Sequence, residues 1–151
     1  MFPPERLRGM ETYMKNFAAQ FGITDFQHRD RIPNTRRALA LAELARDEGR
    51  LDAFRTRAMD AHWRDGLDLE NDDDLRTIAR DAGLPDDAVE RSTNDPQYLA
   101  RVDALREEAN ALGVQGIPTF VLGNLGVSGA QPYEVFQQFA ERAGAKKKSD
   151  S

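Results

Sequence analysis

Gly113-Val114-Gln115-Gly116-Ile117-Pro118-Thr119-Phe120-Val121-Leu122 is the stretch on which the fold turns. Before Gly113 the apolar residues recur at helical spacing, whereas Thr119-Phe120-Val121-Leu122 is a short β-rich run. Between the two stands Pro118. A proline at the mouth of a strand removes a ladder donor, so it sits either at a sheet edge or in a sharp turn made by a cis X-Pro bond. Spacing alone leaves both readings open for Ile117-Pro118. Beyond the run, Gly123-Asn124 is turn material and Leu125-Gly126-Val127-Ser128 can return as a second strand. Pro132 then opens a last helix carrying Val135, Phe136, Phe139 and Ala140.

Working back toward the N-terminus, the chain reads as a series of amphipathic helices. Pro4 suits a first helical position, with Leu7, Met10, Met14, Phe17 and Phe21 at helical spacing and Gly22 as the stop. Asn34 is a candidate N-cap for a helix that places Ala38, Leu41, Ala42 and Ala45 on one face and ends at Gly49. Leu51, Phe54, Ala58, Met59 and Trp63 form the next, stopping near Gly66. Asp72, Asp73 and Asp74 precede Leu75, Ile78, Ala79 and Ala82, which fits acidic residues in a first helical turn. Pro85 starts a short helix. Asp95-Pro96 opens a longer one with Tyr98, Val102, Leu105, Ala109 and Leu112, stopped by Gly113.

Composition narrows the function. The net charge of −5 argues against nucleic acid or an anionic membrane as main partner, because both demand a dominant basic surface. Lys146-Lys147-Lys148 is the one basic cluster, and it lies in a polar tail. No stretch approaches the roughly 20 apolar residues of a membrane span, and Met1-Phe2-Pro3-Pro4-Glu5 shows no secretory pattern, so the expectation is a cytoplasmic chain. With no cysteine among 151 residues, disulfides, thiolate metal sites and cysteine nucleophiles are excluded.

Chemical motifs are scarce. An EF-hand loop started at Asp68 would need glycine at its sixth position and has Asp73, so the acidic run reads as helix capping and solvation. His28 and His62 fall in no metal-binding spacing, and no Gly-x-Ser-x-Gly elbow or phosphate-binding loop is present. Glu107 and Glu108 are adjacent on one helix and diverge, a poor acid–base pair. Neither a catalytic residue, a metal site nor a cofactor is expected.

Gly116-Ile117-Pro118-Thr119-Phe120-Val121 resembles the cis-proline loop of thioredoxin-fold proteins. Val127-Ser128-Gly129-Ala130-Gln131-Pro132 with Val135-Phe136 resembles the C-terminal signature of the DsbA family in its FrnE-like branch, and Ile32-Pro33-Asn34-Thr35 with Ala38 and Leu39 resembles the start of that branch's helical insertion. The related 2-hydroxychromene-2-carboxylate isomerases usually carry Trp-Gly-x-Asp after the strand, where this chain has Val-Ser-Gly-Ala-Gln. The resemblance runs from about Phe2 to Ala143 and implies a mostly α protein with a small β-hairpin, a partial thioredoxin-like (DsbA-like) α/β fold with a helical insertion.

Family members begin with a strand and a Cys-x-x-Cys pair, for which this chain has no counterpart. The resemblance therefore implies a truncated thiol–disulfide oxidoreductase relative with a peptide or protein thiol as its ancestral substrate, held by Ile117, Pro118 and Thr119, with Asn34 near the site. The family's chemistry runs through a thiolate and a mixed disulfide, which this chain cannot supply. Two alternatives stand beside it: a non-catalytic peptide- or partner-binding module, and a remnant of a glutathione-dependent isomerase-like protein. The expected organisation is a helical part over 1–113, a β-β-α part over 114–143 and a disordered tail over 144–151. A lone hairpin with an open edge is marginal in water, so a homodimer or a partner supplying the missing strands is expected.

Overall fold

The structure is a computed structural model that describes residues 4–25 and 31–146; His28 and the end of the tail beyond Lys146 lie outside them. In chain order the elements are α1 (Pro4–Ala19), α2 (Arg36–Asp47), α3 (Leu51–Asp60), a π turn (Ala61–Asp65), α4 (Asp72–Asp81), α5 (Ala88–Asn94), α6 (Pro96–Ala111), β1 (Thr119–Leu122), β2 (Leu125–Ser128) and α7 (Tyr133–Arg142). They divide into two compact units, Met1–Ala104 and Leu105–Ser151. The division falls inside α6, ahead of the Gly113 boundary that the sequence suggests.

The first unit owns the core. Leu41, Leu44, Phe54, Leu75, Ile78, Val89 and Tyr98 are buried together, with alanines 38, 40, 45, 58, 61, 79, 82 and 88 filling the space between them. The small residues let α2 lie close to α5 and α3, and α4 close to α3 and α5. Leu41, Leu44, Leu75 and Ile78 are almost fully inaccessible, and each such side chain contributes roughly 1.5–3 kcal/mol through burial.

Helix starts depart from expectation in informative ways. Thr35, not Asn34, is the N-cap position of α2, and its side chain makes no cap hydrogen bond. Thr35 has already turned toward helix (φ −83°, ψ 6°), so the Asn34 side chain spans a short Asx turn and accepts the Arg36 N–H at 3.1 Å. The short helix begins at Ala88 rather than Pro85, whose carbonyl accepts the Ala88 N–H at 3.0 Å in a preceding turn. At α4 the cap is Asn71, whose Oδ1 accepts the Asp73 and Asp74 N–H groups at 2.9 and 3.1 Å. The acidic run that follows is held by arginines: Arg37 pairs with Asp72 at 2.5 Å, and Arg76 with Asp73 at 2.6 Å.

Further arginine pairs tie elements of this unit together, Arg36 to Asp103, Arg101 to Asp47, and Arg76 to Glu90. The hydrogen bond from Arg101 holds the Asp47 carboxyl below its ordinary value, and the one from Arg76 does the same for Glu90. These groups are exposed, so solvent and salt screen the effect.

The second unit has no such core. From Leu105 to Lys146 no described residue is buried. Leu105 and Leu112, expected on an apolar face of α6, are 51% and 63% exposed. Gly144 and Ala145 close α7 through N–H bonds to Glu141 and Ala140 carbonyls, so the first residues of the expected disordered tail are a helix stop. No described helix is long and apolar enough to cross a membrane.

The contrast between the units and the exposed ion pairs lead to two expected outcomes. Leu44→Ala should cost about 2–5 kcal/mol in chemical denaturation, while Leu105→Ala should stay within about 0.5 kcal/mol. Because Asp47 and Glu90 have depressed values in the folded chain, their contribution is present above the ordinary carboxylate range and is lost as pH falls through the folded values. Denaturation midpoints should therefore drop as pH is lowered through about 4, and less steeply at high salt. A midpoint independent of pH across that window would show that these pairs contribute nothing.

Candidate functional site: the proline loop and the outer edge of β1

α6 ends at Ala111, Gly113 turns the chain out of it, and the chain reaches β1 through Gly116, Ile117 and Pro118. The Ile117–Pro118 peptide bond is cis. Ile117 is 93% exposed, so its side chain is presented to solvent at the tip of the loop. The Thr119 hydroxyl fixes the loop from the other side. It donates to the Gly116 carbonyl at 2.6 Å, which leaves its oxygen to accept from the Ser128 hydroxyl at 3.2 Å.

β1 and β2 pair antiparallel, Thr119 opposite Ser128, Phe120 opposite Val127, Val121 opposite Gly126 and Leu122 opposite Leu125. The two-residue turn has Gly123 at φ +62°, the type II′ arrangement with glycine first. Opposed residues share a face, so Phe120, Leu122, Leu125 and Val127 lie on one side and Thr119, Val121, Gly126 and Ser128 on the other. The first face is apolar and is partly covered by α7, with the Phe120 and Phe136 rings edge to face at 4.7 Å. The second carries one apolar side chain, Val121, so the hairpin needs less cover than strand alternation by itself suggests.

One bond sets the parity of the ladder. The Gly129 N–H donates to the Pro118 carbonyl at 2.8 Å, which makes 118 and 129 a hydrogen-bonded pair that lacks only the donor proline does not have. By alternation Phe120 and Leu122 bond inward to β2. The N–H and C=O groups of Thr119 and Val121 point outward, along the edge of β1 that pairs with no other strand among the described residues. At the far edge of the hairpin the outward Ser128 carbonyl is capped by Gln131 Nε2 at 2.9 Å. Gly129 has φ +86°, and a Cβ there would meet Gln131 Nε2 at 3.3 Å. Gln131 thus covers one acceptor on the outer side of β2, the Ser128 carbonyl, while Thr119 and Val121 line the outer side of β1.

The family model for the DSBA-like thioredoxin domain matches residues 3–141. The chain belongs to the DsbA-like thioredoxin family. Among solved structures it is similar to a probable DsbA oxidoreductase from Streptomyces coelicolor, at 31% identity and a TM-score of 0.76, over 99% of this chain and 66% of that one. The chain therefore spans about two thirds of the length of that relative. No curated protein sequence matches it.

Of the residues singled out from the sequence, Ile117, Pro118 and Thr119 stand together in this DsbA-like loop in the second unit. Asn34 lies in the first unit, within an ionic cluster. Its N–H donates to Glu70 Oε2 at 3.2 Å, and Arg31 bonds Glu70 and Asp68 at 2.5 Å each. The Arg31 bond, followed by the Asn34 N–H, holds the Glu70 carboxyl below its ordinary value. Val121, Gly129 and Gln131 belong to the site as well. Sequence gives Gly129 and Gln131 only as parts of a signature, and it gives no edge assignment for Val121, because parity depends on which pair closes the turn.

Gly129→Ala should destabilise the hairpin by about 1–2 kcal/mol, the cost of an L side chain at positive φ. Hydrogen exchange at the Phe120 and Val127 amides should accelerate, with the Leu41–Ala45 amides unchanged. Equal protection at Phe120 and Val127 in wild type and variant would show that the glycine is not required there.

Proposed function

We propose that this chain is a DsbA-family relative of the FrnE-like branch that performs no thiol chemistry of its own and holds an extended polypeptide along the outer edge of β1. The observation that carries the reading is the pairing of an open strand edge beside the Ile117-Pro118-Thr119 loop with a complete absence of cysteine in 151 residues. Disulfide exchange needs a thiolate to attack or to leave, and no side chain of this chain provides one. Strand addition needs only unpaired N–H and C=O groups in register, with side-chain contacts for selectivity. Thr119 and Val121 offer those groups, and exposed Ile117 offers an apolar contact at the end of the strand.

The FrnE-like assignment is preferred over the isomerase-like one on the segment after β2. Val-Ser-Gly-Ala-Gln occupies the place of Trp-Gly-x-Asp, and there Gly129 supplies the positive φ after β2 while Gln131 caps the Ser128 carbonyl. The ancestral substrate class, a peptide or protein thiol, is retained as the ligand class without the chemistry.

Two measurements test this. The purified chain should show only background turnover in dithiothreitol-dependent insulin reduction and in oxidative refolding; turnover above background overturns the non-catalytic reading. Extended uncharged peptides should shift the Thr119 and Val121 amide resonances, and Thr119→Pro should abolish the effect by removing an N–H. Titration of the monomeric chain that moves neither resonance overturns the strand-holding reading.

A further inference from the structure

We infer that the outer edge of β1 is a homodimer interface, in which two copies pair β1 antiparallel about a twofold axis at Phe120. The inference rests on the strand-holding reading of that edge and names its occupant as a second copy of this chain. Backbone groups select a strand as partner, since only another extended segment places donors and acceptors at matching intervals. Natural edges are guarded against such pairing by charges, bulges or proline. Here the twenty residues from Gly113 to Pro132 carry no charge at all, in a chain that is 31% charged, and Pro118 guards only the end of the strand. Two identical edges therefore meet without repulsion.

Parity fixes the register. The outward residues are Thr119 and Val121, so both find partners in both copies only when Thr119 of one faces Val121 of the other. An axis at Thr119 would require Ile117, ahead of the proline, and an axis at Val121 would require Gly123 in the turn. The Phe120 register closes four N–H···O bonds and makes a four-stranded sheet, β2-β1-β1-β2. It also joins the two apolar faces. Phe120 lies directly opposite its own copy, and Leu122, 43% exposed in one chain, lies opposite Pro118 of the other. A second unit in which no described residue is buried gains cover by this route.

The absence of native cysteine makes the register directly testable. Light scattering on the wild-type chain over a dilution series should give twice the 17.0 kDa chain mass at high concentration. In Phe120→Cys the two thiols would occupy a non-hydrogen-bonded pair with Cα atoms about 4.5 Å apart, within disulfide reach, so mild oxidation should give a covalent dimer. In Val121→Cys the thiols sit on a diagonal with Cα atoms roughly 7–8 Å apart and should not link. Thr119→Pro, which removes two of the four bonds, should weaken association by about tenfold or more. Should Phe120→Cys disturb the contact with Phe136, wild-type mass and the Val121→Cys result still decide.

A wild-type monomer that shifts its Thr119 and Val121 amides with peptide overturns the dimer and leaves the strand-holding reading standing. A monomer that binds no peptide overturns both. Covalent linkage of the Val121→Cys variant in preference to the Phe120→Cys variant overturns the register and the interface with it.

Discussion

A β-strand has two hydrogen-bonding edges, and β1 fills one. The bond from the Gly129 N–H to the Pro118 carbonyl decides which residues serve which edge, because in an antiparallel ladder the inward and outward groups alternate without exception. Shift that bond by one residue and Thr119 and Val121 turn inward, with Phe120 and Leu122 taking their place at the open side. The apolar face would invert along with the edge, and Phe120 would lose its contact with Phe136. The exposed loop, the bare edge and the place of α7 on the hairpin thus share one geometric origin.

The two units are stabilised in unequal ways. In the first, a core of leucines, Ile78, Phe54 and many alanines excludes water, and arginine–carboxylate pairs decorate its surface. Burial does most of the stabilising there, since exposed ion pairs are individually weak. In the second, hydrogen bonds and one aromatic contact hold a hairpin and a helix that bury nothing completely. A two-stranded hairpin in that condition is marginal in water, which makes cover from another strand energetically useful.

Family membership does not carry activity across to this chain. The DsbA-like relation is established by the match over residues 3–141 and by the similar solved structure, yet disulfide exchange is a property of thiols, and this sequence has none. Backbone donors and acceptors do not depend on a nucleophile, so the strand-holding proposed for the edge of β1 needs no thiol.

The sequence by itself determined the helices and the hairpin, because periodicity and stop signals are local. The apolar spacing of Leu41 and Ala45, or of Leu75 and Ile78, needs no partner to be read, and Gly22, Gly49, Gly66, Gly83 and Gly113 all stand at positive φ where the chain leaves a helix. The proline loop was equally legible from Gly-Ile-Pro-Thr and its resemblance to thioredoxin-fold proteins, and the absence of cysteine from these 151 residues is read directly. Caps were less so: Asn34 reads as the N-cap of α2, but the backbone torsion at Thr35 sends its side chain into an Asx turn, and the cap that Asn71 provides to α4 is seen only in the structure. Burial was not legible at all for α6 and the hairpin. An apolar spacing states what a helix or strand can cover, but whether Leu105, Leu112 or Leu122 is covered depends on what lies opposite in space. Edge parity is of the same kind, since the outward position of Thr119 and Val121 is set by a bond to Gly129, ten residues after Thr119, and exists only once the hairpin has closed.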